Sequence, residues 1–511
     1  MASFTERYHE LTKYNPHTID KLGPVRWESQ PPAFKSISSK GKIDLLSRLQ
    51  AVMDRLDDSG QVDGGRGGAK TSEANSEAGL EEIARLLFFT LGLTARLSDQ
   101  GGGDYFLRAA PSAGGLYPTE IYVAARNQSG LEDGIYHYHS LKSALIPVWQ
   151  GAFWADLKHY FLDHPSVESS NLIFLFTGIY GRSAWRYKER AYRRILLDTG
   201  HAVGNLLEIC RHDGLDHSLM GGFLDGGLEE LLFLTAKEEF PLLGVAVGPS
   251  GSLPAEIGQY PSAFPAEAIR HLAAADAASK VSGVRDTMQV QQNACERIRS
   301  NEGLRPPVSG PCGGPPFART AGSPGASAPE FNVLKTILNR RSCRKFNSRA
   351  VSLAQLRENL AFAFRREGSS WCLASDRLEF HVVALNVDGL ESGVYRLHPE
   401  TLTLDSQRVG DFKSETLFMC LGQDLAAECA YALVHTSDLA VLADTYGDRG
   451  YRYACMDAGQ IGERVNLWAI HQGLGSSGIG GYYDDQANEL LGLPLSHGIL
   501  YITLVGVPEE G

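Results

Sequence analysis

The sequence predicts an α+β fold built twice over, as two homologous domains in tandem. Three observations carry that reading. One register of self-similarity runs along the chain; the longest helical run of each repeat is apolar on nearly all sides; and each repeat closes on a strand-like run.

The register comes first, because a missed duplication misreads everything after it. Gly130-Leu-Glu-Asp-Gly134-Ile-Tyr136 matches Gly389-Leu-Glu-Ser-Gly393-Val-Tyr395 at an offset of 259 residues. The same offset pairs Tyr187, Arg190, Tyr192 and Arg193 with Tyr446, Arg449, Tyr451 and Arg452. It also pairs Asp198 with Asp457, His212 with His471, Gly221-Gly222-Phe223 with Gly480-Gly481-Tyr482, and Asp225 with Asp484. A gapless register over this span is not compositional accident.

The elements follow in order. Leu80–Leu91 has helical periodicity, and Ile121–Ala125 reads as a strand. Arg190–Arg211 is a long helix, apolar through its middle and therefore buried. Leu242–Val247 closes the first repeat. In the second, Val333–Leu338 and Leu353–Phe364 read as helices, Phe380–Leu385 as a strand, Arg449–His471 as the buried helix and Ile499–Val505 as the closing strand. The domains predicted are 1–250 and 331–511. Residues 251–330 form a linker, Ala-rich at first and then GLRPPVSGPCGGPPFARTAGSPGASAPE, whose Pro, Gly and Ser density opposes regular structure. A flexible insertion, 59–79, interrupts the first domain.

The length of 511 residues suggests roughly three domains, or two large ones, at about 150 residues each. With 48 basic and 60 acidic side chains the net charge is −12, which argues against a general nucleic-acid or anionic-membrane binder. No stretch approaches the roughly 20 apolar residues of a membrane span. The N-terminus lacks a basic region followed by an apolar run, so a cytoplasmic protein is expected. The eight cysteines form no C-x-x-C pair and read mostly as small buried hydrophobes.

Three clusters could carry chemistry. Arg340-Arg341-Ser342-Cys343-Arg344 places three guanidiniums and a hydroxyl together in an acidic chain. Such forks bind phosphate oxygens, although a solvated basic helix end has the same composition. Pro111-Ser112-Ala113-Gly114-Gly115-Leu116-Tyr117-Pro118 lets backbone approach a flat ligand, or forms an ordinary tight turn. Gly475-Ser-Ser-Gly478-Ile479-Gly480-Gly481-Tyr482 reads as a glycine-rich loop able to offer N–H groups. Gly473, Gly475 and Gly478 also spell G-x-G-x-x-G, but a helix precedes them where the dinucleotide fingerprint needs a strand, so that reading is rejected. His201, His212 and His217 are read as capping or packing residues rather than a metal cluster.

Together these segments resemble the nitroreductase-like flavoprotein superfamily, in particular the SagB-type dehydrogenases of thiazole/oxazole-modified peptides. The resemblance is carried by PSAGGLYPTEIYV (111–123), GIYHYH (134–139), WRYKERAYRRILLDTGHAVGNLL (185–207), GGF (221–223), RRSCRKF (340–346), DRGYRYACMDAGQ (448–460) and GLGSSGIGGY (473–482). The opening segment, ERYHELTKYNPHTIDKLGPVRWESQPPAFK, is similar to the leader of longer members.

The resemblance implies FMN bound between two subunits. Arg340, Arg341, Ser342 and Arg344 would then hold the phosphate. Ile479, Gly480 and Gly481 would lie by flavin N5, and Pro111, Ser112, Ala113, Gly114 and Gly115 would cover the ring from the other repeat. At offset 259 the second repeat has Ser370-Trp-Cys-Leu-Ala-Ser-Asp-Arg377 in place of PSAGGLYP. Aligning the following helices sets the Arg motif against 67–71, which contains no arginine. Each repeat lacks what the other keeps, so an intrachain pseudo-dimer with one FMN per chain is expected.

The implied activity is hydride transfer between flavin N5 and a small-molecule or peptide substrate. The alternatives are an NAD(P)H-dependent nitroreductase or quinone reductase, a flavin-consuming or dehalogenating enzyme, and a non-enzymatic scaffold that binds a peptide or protein. Further oligomerisation is left open. The dehydrogenases share a Lys-Tyr pair before the core helix; here it is Arg186-Tyr187. Arginine stays charged, which leaves Tyr187 as the catalytic candidate.

Overall fold

The computed structural model describes residues 2–254 and 331–509, apart from short breaks between 18 and 26 and at 38–40, 60–71, 99–103 and 367–371. The expected linker from 255 to 330, and the 67–71 segment set against the Arg motif, lie outside the described residues.

Each repeat contains one large antiparallel sheet. The first runs in spatial order Ile43–Asp44, Ala144–Gln150, Gly134–His139, Thr119–Ala125, Leu172–Ile179, Glu239–Pro249, Leu215–Met220. The second runs Thr403–Val409, Gly393–His398, Glu379–Ala384, Tyr431–Asp438, His497–Gly506, Gly475–Ile479. At offset 259 the two orders superimpose from Ala144–Gln150, the counterpart of Thr403–Val409, to the last strand. The central strands LIFLFTGI and YALVHTSD are continuous apolar runs in their first halves because both of their faces are covered. Phe174 and Phe176 face the main core, whereas Ile173 and Leu175 face a satellite cluster under Phe153 and Phe161. Tyr431 and Leu433 alternate in the same way with Ala432 and Val434.

The two longest helices, Ala191–His212 and Arg449–His471, lie against each other at the centre. Residues 191–210 of the first are all buried, as are nearly all of the second. One contiguous hydrophobic core draws on both, with Leu197 and Leu206 beside Met456 and Val465. Buried ion pairs cross between the repeats and obey the offset. Arg190 and Arg193 hold Asp484 at 2.6 and 2.7 Å, while Arg449 and Arg452 hold Asp225. A patch meeting its own copy in this reciprocal way is the interface of a symmetric dimer, made here within one chain.

The N-terminal helix Phe4–Leu11 begins on a capping box of Ser3 and Glu6 and lies across the second repeat. Its Thr5 amide donates to Asp448 at 3.1 Å, and His9 Nδ1 lies 3.1 Å from the Tyr451 hydroxyl. Among the described residues no helix is long and apolar enough to cross a membrane.

Two expectations need correction. Gly475–Ile479 is a strand rather than a loop, paired with His497–Gly506 from Gly475↔Gly506 to Ile479↔Ile502. Its glycines leave room for neighbours: a side chain at Gly478 would overlap the Tyr501 hydroxyl, and a Cβ at Gly475 would lie 2.7 Å from Cys343 Sγ. The second concerns the insertion. The helix before the first core strand spans Ser72–Leu91, because SEANSEAG is rich in Ala and Glu and continues the helical register of the apolar run after it.

Candidate functional site

The three sequence clusters meet at one place, on the boundary between the repeats. Asn332 caps the short helix Val333–Asn339 through its Oδ1, and the chain then leaves in extended form through the arginine motif. Arg340 turns inward and is buried. Its Nε donates to the Ala109 carbonyl at 2.9 Å, two residues before Pro111 of the other repeat. The Cys343 amide donates to the Ser476 carbonyl at 2.8 Å, tying the motif to the glycine strand. Arg341 donates to the Leu338 and Arg340 carbonyls at 2.9 and 2.6 Å. Arg341 and Arg344 are exposed, Ser342 is half-buried, and neither arginine pairs with a carboxylate among the described residues.

The Pro-Ser segment is a loop with a single 3-10 turn over Ala113–Gly115. Gly114 and Gly115 both have φ of 66°, a backbone region that favours glycine. Asp198 of the core helix fixes the loop. Its carboxylate accepts from Ser112 Oγ at 2.5 Å and from the Ala113 amide at 3.0 Å, and Ser112 Oγ accepts from the Tyr117 amide at 2.8 Å. Burial pushes the Asp198 carboxyl up to about 7, against the downward pull of those donors and of Arg194. Ser112 and Ala113 therefore hold the loop's shape, and the backbone at Gly114 and Gly115 is what lies exposed.

Tyr187 and Arg194 close the gap between this loop and the glycine strand. A Cβ added to Gly114 would lie 2.7 Å from the Tyr187 hydroxyl and 2.9 Å from Arg186 Nη1. The Arg194 guanidinium sits 5.0 Å from the Tyr187 ring centre and lies against Gly480. Burial raises the Tyr187 phenol, and the Arg194 and Arg186 charges work against that. Beyond the strand, Gly480 and Gly481 are half-exposed, while the Ile479 side chain packs into a satellite core and offers the site only its backbone.

The pseudo-symmetric location carries different side chains. Gly221 is the counterpart of Gly480, and a Cβ there would meet Tyr453 Cε1 at 2.8 Å and Leu373 Cδ2 at 2.9 Å. Tyr453, opposite Arg194, donates its hydroxyl to the Gly221 carbonyl at 2.9 Å. Leu373 stands where the first repeat has Gly114. Tyr446, opposite Tyr187, donates to Asp376 at 2.8 Å, and Thr445, opposite Arg186, accepts from Arg377 at 3.0 Å.

Sequence reasoning passed over Arg194 and the loop-holding role of Asp198. The signal was present in the register, since at offset 259 Arg194 is the one cation of its segment opposed by a tyrosine. Among the described residues no group of three or more His, Cys, Asp or Glu could hold a metal ion. His201 bonds the Leu197 carbonyl and the Tyr501 hydroxyl, and His212 bonds Asp213.

Comparison with known proteins follows the repeat boundaries. The sequence profile of the Nitroreductase family matches residues 77–249 and again 337–507. A protein of Anabaena variabilis, crystallised as a nitroreductase candidate, covers 100% of both chains at 31% identity and a TM-score of 0.82. A nitroreductase-named protein of Methanocaldococcus jannaschii is 28% identical over 169 residues, 33% of this chain and 80% of its own. The microcin B17-processing protein McbC of Escherichia coli is 25% identical over 143 residues, 27% of this chain and 52% of its own.

Proposed function

This chain belongs to the nitroreductase family, and from that premise we propose that it is an FMN-dependent oxidoreductase with one flavin per chain, acting on a small organic or peptide substrate. The observation that carries the reading is the convergence described above. Arg340 of one repeat bonds the backbone that enters the Pro-Ser loop of the other, and Cys343 bonds the glycine strand.

The residues present suit the cofactor. Arg341, Ser342 and Arg344 offer an exposed cationic edge with a hydroxyl for a phosphate, and Arg340 positions them. Gly114 and Gly115 allow a flat ring to approach backbone on one side, and Gly480 and Gly481 do so on the other. FMN, when bound, supplies two-electron chemistry at N5. The protein's part is to hold the ring, support negative charge with N–H groups and guanidiniums, and present the Tyr187 hydroxyl for proton transfer. The counterpart around Gly221 has Leu373 in place of Gly114 and Tyr453 in place of Arg194, and this difference supports one cofactor rather than two.

A second reading within the family is peptide dehydrogenation of the kind suggested by the relationship to the microcin-processing protein. The Tyr187 hydroxyl beside Gly114 favours it, and Arg186 in place of the lysine of those dehydrogenases counts against it. Burial favours the protonated Tyr187 phenol, so it would act there as a hydrogen-bond or proton donor, and the proton leaving substrate would pass to another base.

The test is the visible spectrum of the purified chain, with released flavin counted. One FMN per chain is expected. No flavin after incubation with excess FMN would overturn the proposal, and two per chain would overturn the composite site. Rapid flavin bleaching by NADPH or NADH in stopped flow would identify the reductase form of the reaction, and bleaching only by an oxidisable peptide the dehydrogenase form.

A further inference from the structure

Arg194 is 4% exposed, yet no carboxylate lies within ion-pair distance of it among the described residues, and its buried Nε has no hydrogen-bond partner. Elsewhere along this helix and its counterpart the buried arginines are answered: Arg190 and Arg193 by Asp484, Arg449 and Arg452 by Asp225, and Arg464 by Glu208. A buried cation without a partner is costly, and a fold with so many matched pairs does not leave one by default. The Asp198 carboxyl feels the Arg194 charge but already accepts from Ser112 and Ala113.

A second cation stands nearby with the same lack. Arg186 is half-exposed, has no carboxylate partner among the described residues, and its guanidinium lies beside Gly114. Its guanidinium lies 5.6 Å from the ring centre of Trp27, an exposed indole that packs edge-on against Trp185. The mouth of the site thus combines two unanswered guanidiniums, the Tyr187 hydroxyl and an exposed aromatic face. In the pseudo-symmetric counterpart, Arg194 is replaced by Tyr453 and Arg186 by Thr445, both bonded internally.

We propose that Arg194 and Arg186 bind the carboxylate of a planar organic substrate, so that the site selects anionic over neutral compounds. The inference rests on the flavoprotein reading and narrows its substrate class. Arginine forks match a carboxylate with paired charge-assisted hydrogen bonds, and the Trp27 face supplies stacking area for the rest of the molecule.

The experiment titrates the FMN-loaded full chain with benzoate and with benzamide, its neutral isostere, following the flavin spectrum and the heat of binding. Benzoate is expected to bind at least about tenfold more tightly. Arg194→Met and Arg186→Gln should each reduce the preference to within about twofold, while Arg194→Lys, which keeps the charge, restores part of it. Flavin content should stay unchanged in all three. Equal affinities in the parent protein would overturn the proposal. So would an Arg194→Met protein that loses FMN but keeps its benzoate preference, because the arginine would then serve the cofactor. If Arg194→Met does not fold, Arg186→Gln on the rim decides. Should the parent chain bind no FMN, the redox reading fails separately, and calorimetry with the two probes on the flavin-free chain still decides the anion preference.

Discussion

Gly200 and Gly459 touch where the two core helices cross. A Cβ added to Gly200 would lie 2.9 Å from the Gly459 Cα and overlap the Met456 carbonyl, and one added to Gly459 would lie 3.1 Å from the Gly200 Cα and overlap that of Leu197. The two glycines are equivalent at offset 259, as are Leu197 and Met456, so the pseudo-two-fold axis passes through this contact. Alanine would be gained in helix propensity by about 1 kcal/mol, but backbone atoms cannot move aside as a side chain can. Gly200→Ala and Gly459→Ala are each expected to destabilise the chain by about 1–3 kcal/mol, read from the denaturant midpoint. The double variant should fall short of the sum, because one separation of the helices relieves both clashes.

The reciprocal ion pairs give a second expectation. Asp484 is fully buried between Arg190 and Arg193, which leave it ionised in the interior. Asp484→Asn strands two guanidiniums and should cost about 3–5 kcal/mol, with Asp225→Asn of similar size because it stands in the equivalent position. If unfolding follows one transition in the parent chain and two in either variant, the pairs are what makes the repeats unfold together.

Much of this architecture was legible in the sequence, and the parts that were not share a physical cause. The core helices and closing strands are long, periodic and buried, so pattern alone placed them close to their observed ends. The strand Gly475–Ile479 was not legible, since glycine and serine have little strand preference; its pairing with His497–Gly506 and the room needed by Tyr501 decide its conformation. Arg340 reads as a phosphate ligand by composition, yet burial and the Ala109 carbonyl engage it in holding the repeats together. Arg194 was hidden because one arginine beside Arg193 looks like a continuation of a basic run. Only the packing shows that one of the two is paired and the other is not.

The pH dependence follows from carboxyls shifted in opposite directions. Burial raises Asp198, Asp457 and Glu463 to about 7, against their hydrogen-bond donors and, for Asp198 and Glu463, nearby arginines. A carboxyl raised in the folded state contributes stability that is complete below its unfolded pKa and lost as pH rises through its folded one, here from about 4 to about 7. Burial alone would also raise Asp484, but Arg190 and Arg193 outweigh it and hold the group well below the usual range. Its contribution is present above about pH 4 and lost on acidification. The melting temperature is therefore expected to peak in the mildly acid range and to be several degrees lower at about pH 8. Asp198→Asn and Asp457→Asn should each flatten the alkaline side of that profile and leave the acid side unchanged.

On the proposed flavin reading, two arginines four residues apart in one extended segment separate cofactor binding from stability. Arg344 is exposed and pairs with no carboxylate among the described residues, whereas Arg340 is buried with its Nε on Ala109. On that reading, removing the Arg344 charge would take away one charge-assisted phosphate contact and little packing. Arg344→Ala is expected to weaken FMN binding by about tenfold or more, with the melting temperature of the flavin-free chain unchanged. Arg340→Ala removes a buried donor and leaves the Ala109 carbonyl unanswered, so it should lower the stability of the flavin-free chain by about 2 kcal/mol. Measuring both quantities in both variants distinguishes the roles. Loss of stability without FMN in Arg344→Ala, or an unchanged melting temperature in Arg340→Ala, would show that the motif is organised in some other way.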